Sequence, residues 1–377
     1  MVVTSLKGAI MLLKEKPTFR VHFKEIAVSG YEHVYFVTHK NLKAFIAIHN
    51  TTLGPALGGI RIYPYPSEEA ALEDVLRLSK GMTYKAAIAE VGFGGGKSVI
   101  IANPKKDKTD ELLFSFAEAV NLLKGRYIAA EDSGCTIEDI GRIRQKTPYV
   151  VGLAHKQGSG DPSRFTAWGT FRAIQSVFKK LYGCNCVEGK TIAVQGIGSV
   201  GTYLIDYLFW AGAHLVVSDL DREKVEEAVR RYKAKAVDPD KIFSVPCDVF
   251  SPCAMGGVIN DRTVEQFRCK AIAGSANNQL LTEEHARQLQ AKKILYAPDF
   301  VANAGGLLNV ASELGQNGYD PSIPREKTHQ IYDSLLGIYK IAEENGTSPV
   351  QAAHKLAEYR LQYGIGKRTA PPVFLNV

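Results

Sequence analysis

The stretch Thr191-Ile192-Ala193-Val194-Gln195-Gly196-Ile197-Gly198-Ser199-Val200-Gly201 decides the fold of this chain. It reads as a strand running into a Gly-x-Gly-x-x-Gly turn that opens a helix. In such a turn Gly196 permits the tight bend, Gly198 lets backbone amides approach a pyrophosphate, and Gly201 lets helix pack on strand. The helix N-terminus, with Ile197, Ser199 and Val200 around it, then stabilises the anion. The pattern is weak alone, but its context is complete. A second strand, Leu215 to Asp219, places the carboxylate of Asp219 about 20 residues on, where a ribose diol is held. That carboxylate repels a 2′-phosphate, so NAD is expected over NADP, although Arg222 lies close by.

Outward from this unit, strand and helix patterns alternate. Helices are expected over Ala167–Leu181, Ser199–Ala211 and Asp221–Tyr232, with further short strands at Lys270–Ala273 and Ile294–Tyr296. Strands spaced by helices mean a parallel, doubly wound sheet. The upstream half is α/β of another kind. His33–Val37 and Ala44–His49 alternate as paired strands. Ser67 starts a helix with Leu72, Val75, Leu76, Ser79 and Met82 on one face, and Thr109 starts another that stops near Gly125. Thr136-x-x-Asp139 resembles a capping box. Composition shifts over His155–Arg164. The expected organisation is therefore a substrate and oligomerisation domain over 1–155 and a Rossmann-type dinucleotide domain over 156–329, with C-terminal helices in 330–377 packing back on the first.

At 377 residues the chain has room for two cores, and its 45% hydrophobic and 23% charged composition is that of a globular protein. No apolar run approaches the roughly 20 residues that span a bilayer. The start Met1-Val2-Val3-Thr4 lacks the ordered regions of a signal peptide, so a cytoplasmic protein is expected. The net charge of +7 is scattered, which argues against nucleic-acid binding. Six cysteines occur without a Cys-x-x-Cys pair or histidines at zinc spacing, so no metal site is expected.

Chemistry concentrates in Lys80-Gly81-Met82-Thr83-Tyr84-Lys85 and Gly92-Phe93-Gly94-Gly95-Gly96-Lys97-Ser98. Lys85 and Lys97 stand among apolar neighbours, in a setting poor in other charge. Desolvation lowers a lysine pKa, suiting it to anion binding or to acid-base work. A phosphate loop is the rival reading, and it fails on register. The position five before Gly96 is Val91 rather than glycine, and Val99-Ile100-Ile101 looks like a strand rather than a helix. The glycines beside Lys97 are read as allowing close approach of a ligand. Ala130-Glu131-Asp132 supplies an acidic element. These residues describe an NAD-linked redox enzyme with a lysine-lined anion pocket.

With Leu57-Gly58-Gly59-x-Arg61, Gly274-Ser275-Ala276-Asn277-Asn278-Gln279 and Asn303-Ala304-Gly305-Gly306, the motifs stand in an order that resembles the Glu/Leu/Phe/Val amino-acid dehydrogenase family over nearly the whole chain. The resemblance implies oxidative deamination of an L-amino acid to a 2-oxo acid and ammonia. It implies that Lys85 binds the substrate carboxylate, that Lys97 activates water, and that Asp132 shuttles protons. By the same resemblance Gly58, Gly59 and Met82 help shape the substrate site, and Asn277 and Thr166 belong to the cofactor end. Leu57, Ala130, Leu307 and Val310 would line the substrate side chain. Glutamate enzymes of the family carry a lysine where Leu57 stands, so glutamate is expected to be rejected. Ala130 and Glu131 keep the form typical of branched-chain enzymes, which places leucine, valine and isoleucine above phenylalanine. Tyr63-Pro64-Tyr65 and Phe93-Gly94-Gly95-Gly96-Lys97-Ser98 look more like the phenylalanine enzymes of the family, which makes phenylalanine the alternative substrate, and Leu307 also departs from the branched-chain form. The family also implies a homo-oligomer, with octamers among its assemblies. A non-catalytic regulatory protein is the alternative of another class; a 2-hydroxy-acid dehydrogenase would need a histidine that these segments lack.

Overall fold

The computed structural model describes residues 21–154 and 158–374. The Met1–Thr4 start and the boundary drawn between 155 and 156 lie outside the described residues. Two sheets organise the chain.

The first is built from β1 (His22–Glu25), β2 (His33–His39), β3 (Leu42–Asn50), β4 (Ala56–Tyr63), β5 (Gly94–Ile101) and β6 (Tyr127–Glu131), in the order β1-β2-β3-β5-β4-β6. Pairing is antiparallel from β1 to β5 and parallel from β5 through β4 to β6, so the sheet is mixed. Lys40, with φ 47°, turns the β2–β3 hairpin. Helices α1 (Glu68–Ala89), α2 (Asp110–Leu122) and α3 (Ile137–Arg144) cover it. Ser67 caps α1, Thr109 caps α2, and Thr136 with Asp139 forms a capping box on α3. Each cap satisfies an amide that the first helical turn would otherwise leave open.

The second sheet is entirely parallel. After α4 (Ser163–Tyr182) come β7 (Thr191–Gln195), α5 (Ser199–Trp210), β8 (His214–Ser218), α6 (Arg222–Tyr232), β9 (Lys235–Ala236), β10 (Cys247–Pro252), α7 (Asp261–Gln266), β11 (Cys269–Ile272), α8 (Glu284–Ala291) and β12 (Leu295–Tyr296). The order is β12-β11-β10-β7-β8-β9, a doubly wound sheet with its switch point between β7 and β10. The short α9 (Asp299–Ala302) and α10 (Gly305–Ser312) follow. Then α11 (Ser322–Asn345) and α12 (Pro349–Tyr363) close the chain. These two part company. α11 lies along α4, whereas α12 packs on α1, where Arg360 donates to the carbonyls of Ala87 and Ile88.

Three expectations change. β10, absent from the sequence reading, is the strand that joins the two halves of the second sheet. The buried stripe of α1 is Ala71, Val75, Ser79, Thr83 and Ala86, so of the expected face Val75 and Ser79 are buried while Leu72, Leu76 and Met82 sit at its margin. Gly94–Lys97 is strand rather than loop.

Candidate active site

A cleft of about 750 Å³ opens between the two sheets. β4 brings Leu57, Gly58 and Gly59 to its wall, α1 brings Met82 and Lys85, β5 brings Lys97, and β6 ends there in Ala130 and Glu131, with Asp132 next after it. The second domain contributes Thr166 from α4, Val200 from α5, Asn277, Asp299, Asn303, and Leu307 and Val310 from α10. Every substrate-end residue named from the sequence therefore reaches one cleft. Of the glycine turn only Val200 does; Gly196, Ile197, Gly198, Ser199, Gly201 and Asp219 lie beyond its lining.

The glycines around Lys97 have a different task from the one expected. A Cβ on Gly95 would sit 2.1 Å from the backbone nitrogen of Thr83, and one on Gly94 2.1 Å from the Asn50 carbonyl. On Gly96 it would meet the Tyr127 ring at 2.9 Å, and on Gly58 it would meet the Gly96 carbonyl at 1.8 Å. These glycines let α1 and β4 press onto β5. Gly94, Gly95 and Gly96 thus serve packing behind Lys97 rather than the approach of a ligand, while Gly58 also lines the cleft. Gly59 is the exception, since its Cβ would stand 2.7 Å from Asp132 Cβ and 3.2 Å from Lys97 Nζ.

Nor is the setting poor in charge. Lys97 is buried, with Nζ 3.0 Å from Asp132 Oδ2. Arg61 Nε donates to the same oxygen at 3.0 Å. Burial pushes the Asp132 carboxyl up, but the Lys97 ammonium and Arg61 guanidinium overcome this and hold it at about 2. Asp132 is thus a carboxylate at neutral pH. Lys85 Nζ donates to Asn303 Oδ1 at 2.7 Å, across the cleft. Burial brings Lys85 down to about 8; the Lys97 charge adds to the fall, while Asp299 and Asp132 oppose it. Glu131 is pushed up to about 7 by burial and by the charges of Asp161 and Asp132. The side-chain end of the cleft is apolar, with Leu57, Ala130, Leu307 and Val310 all buried.

The sequence reading missed Asp299, which is enclosed beside Lys85 and accepts amide hydrogen bonds from Gln279 and Phe300. Its signal is a lone acid between Tyr296-Ala297-Pro298 and Phe300-Val301-Ala302. Arg61 and Asn303 stood in quoted motifs without a task. Asn303 joins Lys85 to Ser275 and Asn277, donating to the Ser275 carbonyl at 3.1 Å and to Asn277 Oδ1 at 2.7 Å.

Residues 34–149 match the Glu/Leu/Phe/Val dehydrogenase dimerisation domain, and residues 219–362 match Glutamate/Leucine/Phenylalanine/Valine dehydrogenase. Leucine dehydrogenase of Thermoactinomyces intermedius is 48% identical over 322 residues, 85% of this chain and 87% of that protein. The chain belongs to the Glu/Leu/Phe/Val dehydrogenase family. Phenylalanine dehydrogenase of Caldalkalibacillus thermarum strain TA2.A1 is likewise 48% identical, over 345 residues, 89% of this chain and 92% of that one. The solved L-tryptophan dehydrogenase from Nostoc punctiforme superposes with a TM-score of 0.79 at 45% identity, covering 89% of this chain and 97% of that one. As a family member, the protein performs NAD(P)-dependent oxidative deamination of an L-amino acid, and its first domain is of the family's dimerisation type. Among the described residues, no helix is long and apolar enough to cross a membrane, and no cluster of three or more His, Cys, Asp or Glu side chains is placed to hold a metal.

The glycine turn fits the family's dinucleotide. Gly196 has φ 95°, Gly201 could not carry a Cβ without meeting the Gly196 carbonyl at 2.1 Å, and a Cβ on Gly198 would project into open space. Of the three glycines only Gly198 is thus open, at the N-terminus of α5, where an anion gains from unpaired amides. Asp219 follows β8 and accepts from the Ile197 amide at 2.5 Å, tying it to the turn.

Proposed function

We propose that the protein deaminates branched-chain L-amino acids, leucine first, with NAD, in the cytoplasm and as a homo-oligomer that extends to an octamer. The observation that carries the substrate is the uncharged pocket of Leu57, Ala130, Leu307 and Val310 opposite the Lys85–Lys97–Asp132 cluster. A distal carboxylate placed there without a partner would cost on the order of several kcal/mol. Lys85 binds the α-carboxylate, with Gly58, Gly59 and Met82 shaping the space around the substrate. Gly196, Ile197, Gly198, Ser199, Val200 and Gly201 hold the pyrophosphate, Asp219 the ribose, and Asn277 and Thr166 the nicotinamide end.

Bound NAD supplies the acceptor for the hydride leaving the substrate Cα. The protein manages the protons and the water. Asp132 takes a proton from the substrate ammonium, making the amine. After oxidation to the iminium, water attacks that carbon and gives its proton to Lys97, which serves this step as the free amine. Asp132 returns a proton to nitrogen as the C–N bond breaks, releasing ammonia and the 2-oxo acid. Lys97 and Asp132 are 3.0 Å apart, so a proton can pass between them without rearrangement.

A branched pocket discriminates by shape, and one methylene is worth only about 1–3 kcal/mol. The test is therefore a panel: kcat/KM for NADH formation from L-leucine, L-valine, L-isoleucine, L-phenylalanine, L-tryptophan and L-glutamate, repeated with NADP. Leucine should lead and glutamate should be silent. A higher value for phenylalanine or tryptophan would refute the substrate, and equal use of NADP would refute the cofactor preference.

A further inference from the structure

Asp132 is gripped by one oxygen. Both Lys97 Nζ and Arg61 Nε address Oδ2, each at 3.0 Å, and among the described residues no group donates to Oδ1. Arg61 is itself anchored. Its Nη1 donates to Asp74 Oδ2 at 3.0 Å, and Asp74 also accepts from Tyr65 at 2.6 Å and from Arg77 at 2.7 Å. The guanidinium therefore lies as a rigid fork between Asp74 on α1 and Asp132 at the end of β6, carried by β4 between them. A planar guanidinium can address two carboxylates through separate N–H groups at once, whereas an ammonium is a point charge on a flexible stem.

We infer that Arg61 is a positioning residue for proton transfer, pinning Oδ2 of Asp132 so that Oδ1 faces the substrate nitrogen. This rests on the role proposed above for Asp132. In the step concerned, an N–H bond of the substrate ammonium breaks and an O–H bond forms at Oδ1, leaving neutral amine and carboxylic acid; Arg61 neither gains nor loses a proton. The second cation has a reason to exist. Lys97 has to serve the attacking water as well as Asp132, and Arg61 holds the carboxylate oriented whichever of the two Lys97 engages. The charged and titratable groups facing Asp132 are Lys97 from β5, Arg61 from β4, Lys85 from α1, Tyr127 and Glu131 from β6, and Cys135 beyond it, with Asp74 acting through Arg61.

The experiment compares full-length wild type with Arg61→Gln and Arg61→Lys, measuring kcat, KM and the pH profile of kcat/KM. Thermal unfolding and NADH fluorescence check the fold. Arg61→Gln should lower kcat on the order of 10- to 100-fold, change KM far less, and move the acidic limb to higher pH. Arg61→Lys keeps a charge but not the fork, so its acidic limb should stay near wild type while kcat recovers only in part. A folded Arg61→Gln protein with wild-type kcat and an unmoved limb overturns the inference, as does a loss carried by KM alone. Should that variant not fold, Asp74→Asn loosens the fork from its far end and should lower kcat at nearly constant KM; wild-type kcat there overturns the inference equally. Asp132→Asn, assayed in parallel, tests the underlying role: turnover retained in that variant refutes proton transfer through Asp132, whatever Arg61 does.

Discussion

Replacing Lys85 with methionine should stabilise the folded protein at neutral pH while disabling it as an enzyme. The Lys85 ammonium is held at about 8 against an ordinary 10.5. The fold therefore disfavours its charged form by about 3 kcal/mol at pH 7, an upper bound because part of the side chain faces the cleft. Methionine removes that penalty but leaves Asn303 Oδ1 without its donor, which returns about 1–3 kcal/mol. The net gain is about 1 kcal/mol at pH 7. Its pH dependence is the sharper test. The folded pKa lies below the unfolded one, so the penalty is complete below pH 8 and relieved as pH rises towards 10.5. Wild type should gain about 2 kcal/mol on the variant between pH 7 and pH 9.5, enough to reverse their order. Urea unfolding of both proteins at both pH values, at one protein concentration and without substrate, measures this. A difference that does not move with pH, or one that moves in the variant's favour, would refute the reasoning. In the same variant kcat/KM should fall on the order of 100-fold, the loss of a charge-assisted carboxylate contact.

Lys97→Ala should abolish turnover while NADH binding, followed by fluorescence, is largely retained; substantial residual activity would remove Lys97 from the mechanism. Two alanine substitutions in the glycine turn should separate stability from binding. Gly201→Ala drives a Cβ into the Gly196 carbonyl at 2.1 Å and should cost about 1–3 kcal/mol in unfolding. Gly198→Ala meets open space at φ −78° and should leave stability within about 0.5 kcal/mol while weakening NADH binding; unchanged affinity there would sink the pyrophosphate assignment.

Local pattern carried much of this fold. The strand Thr191–Gln195 coincides with β7, and Ser67, Thr109 and Thr136 cap the helices they announce, because strand alternation and capping are written within a few residues. β10 escaped because Cys247-Asp248-Val249-Phe250-Ser251-Pro252 mixes an acid, a serine and a proline into a short run. Its pairing with β7 and β11 supplies what its own composition does not. The stripe of α1 shifted because the helix packs tightly on glycine-bearing β5, where small residues such as Ala71, Ser79 and Thr83 fit closest. Arg61 and Asp299 went unread for a related reason, since each acts through groups far away in the chain.

The sequence by itself determined the strand–turn–helix alternation of the dinucleotide domain, the family's ordered motifs, and the residue types available for chemistry, all of which depend on neighbours within one turn or strand. Tertiary structure alone decided what those residues face. It turned the glycines beside Lys97 from a ligand-approach loop into a packing seam, brought Asn303 and Asp299 against Lys85, and put two cations on one oxygen of Asp132. The reason is physical: close packing and the electrostatics of a buried charge depend on distance through space, and α1, β4, β5 and β6 meet at this cleft from positions tens of residues apart.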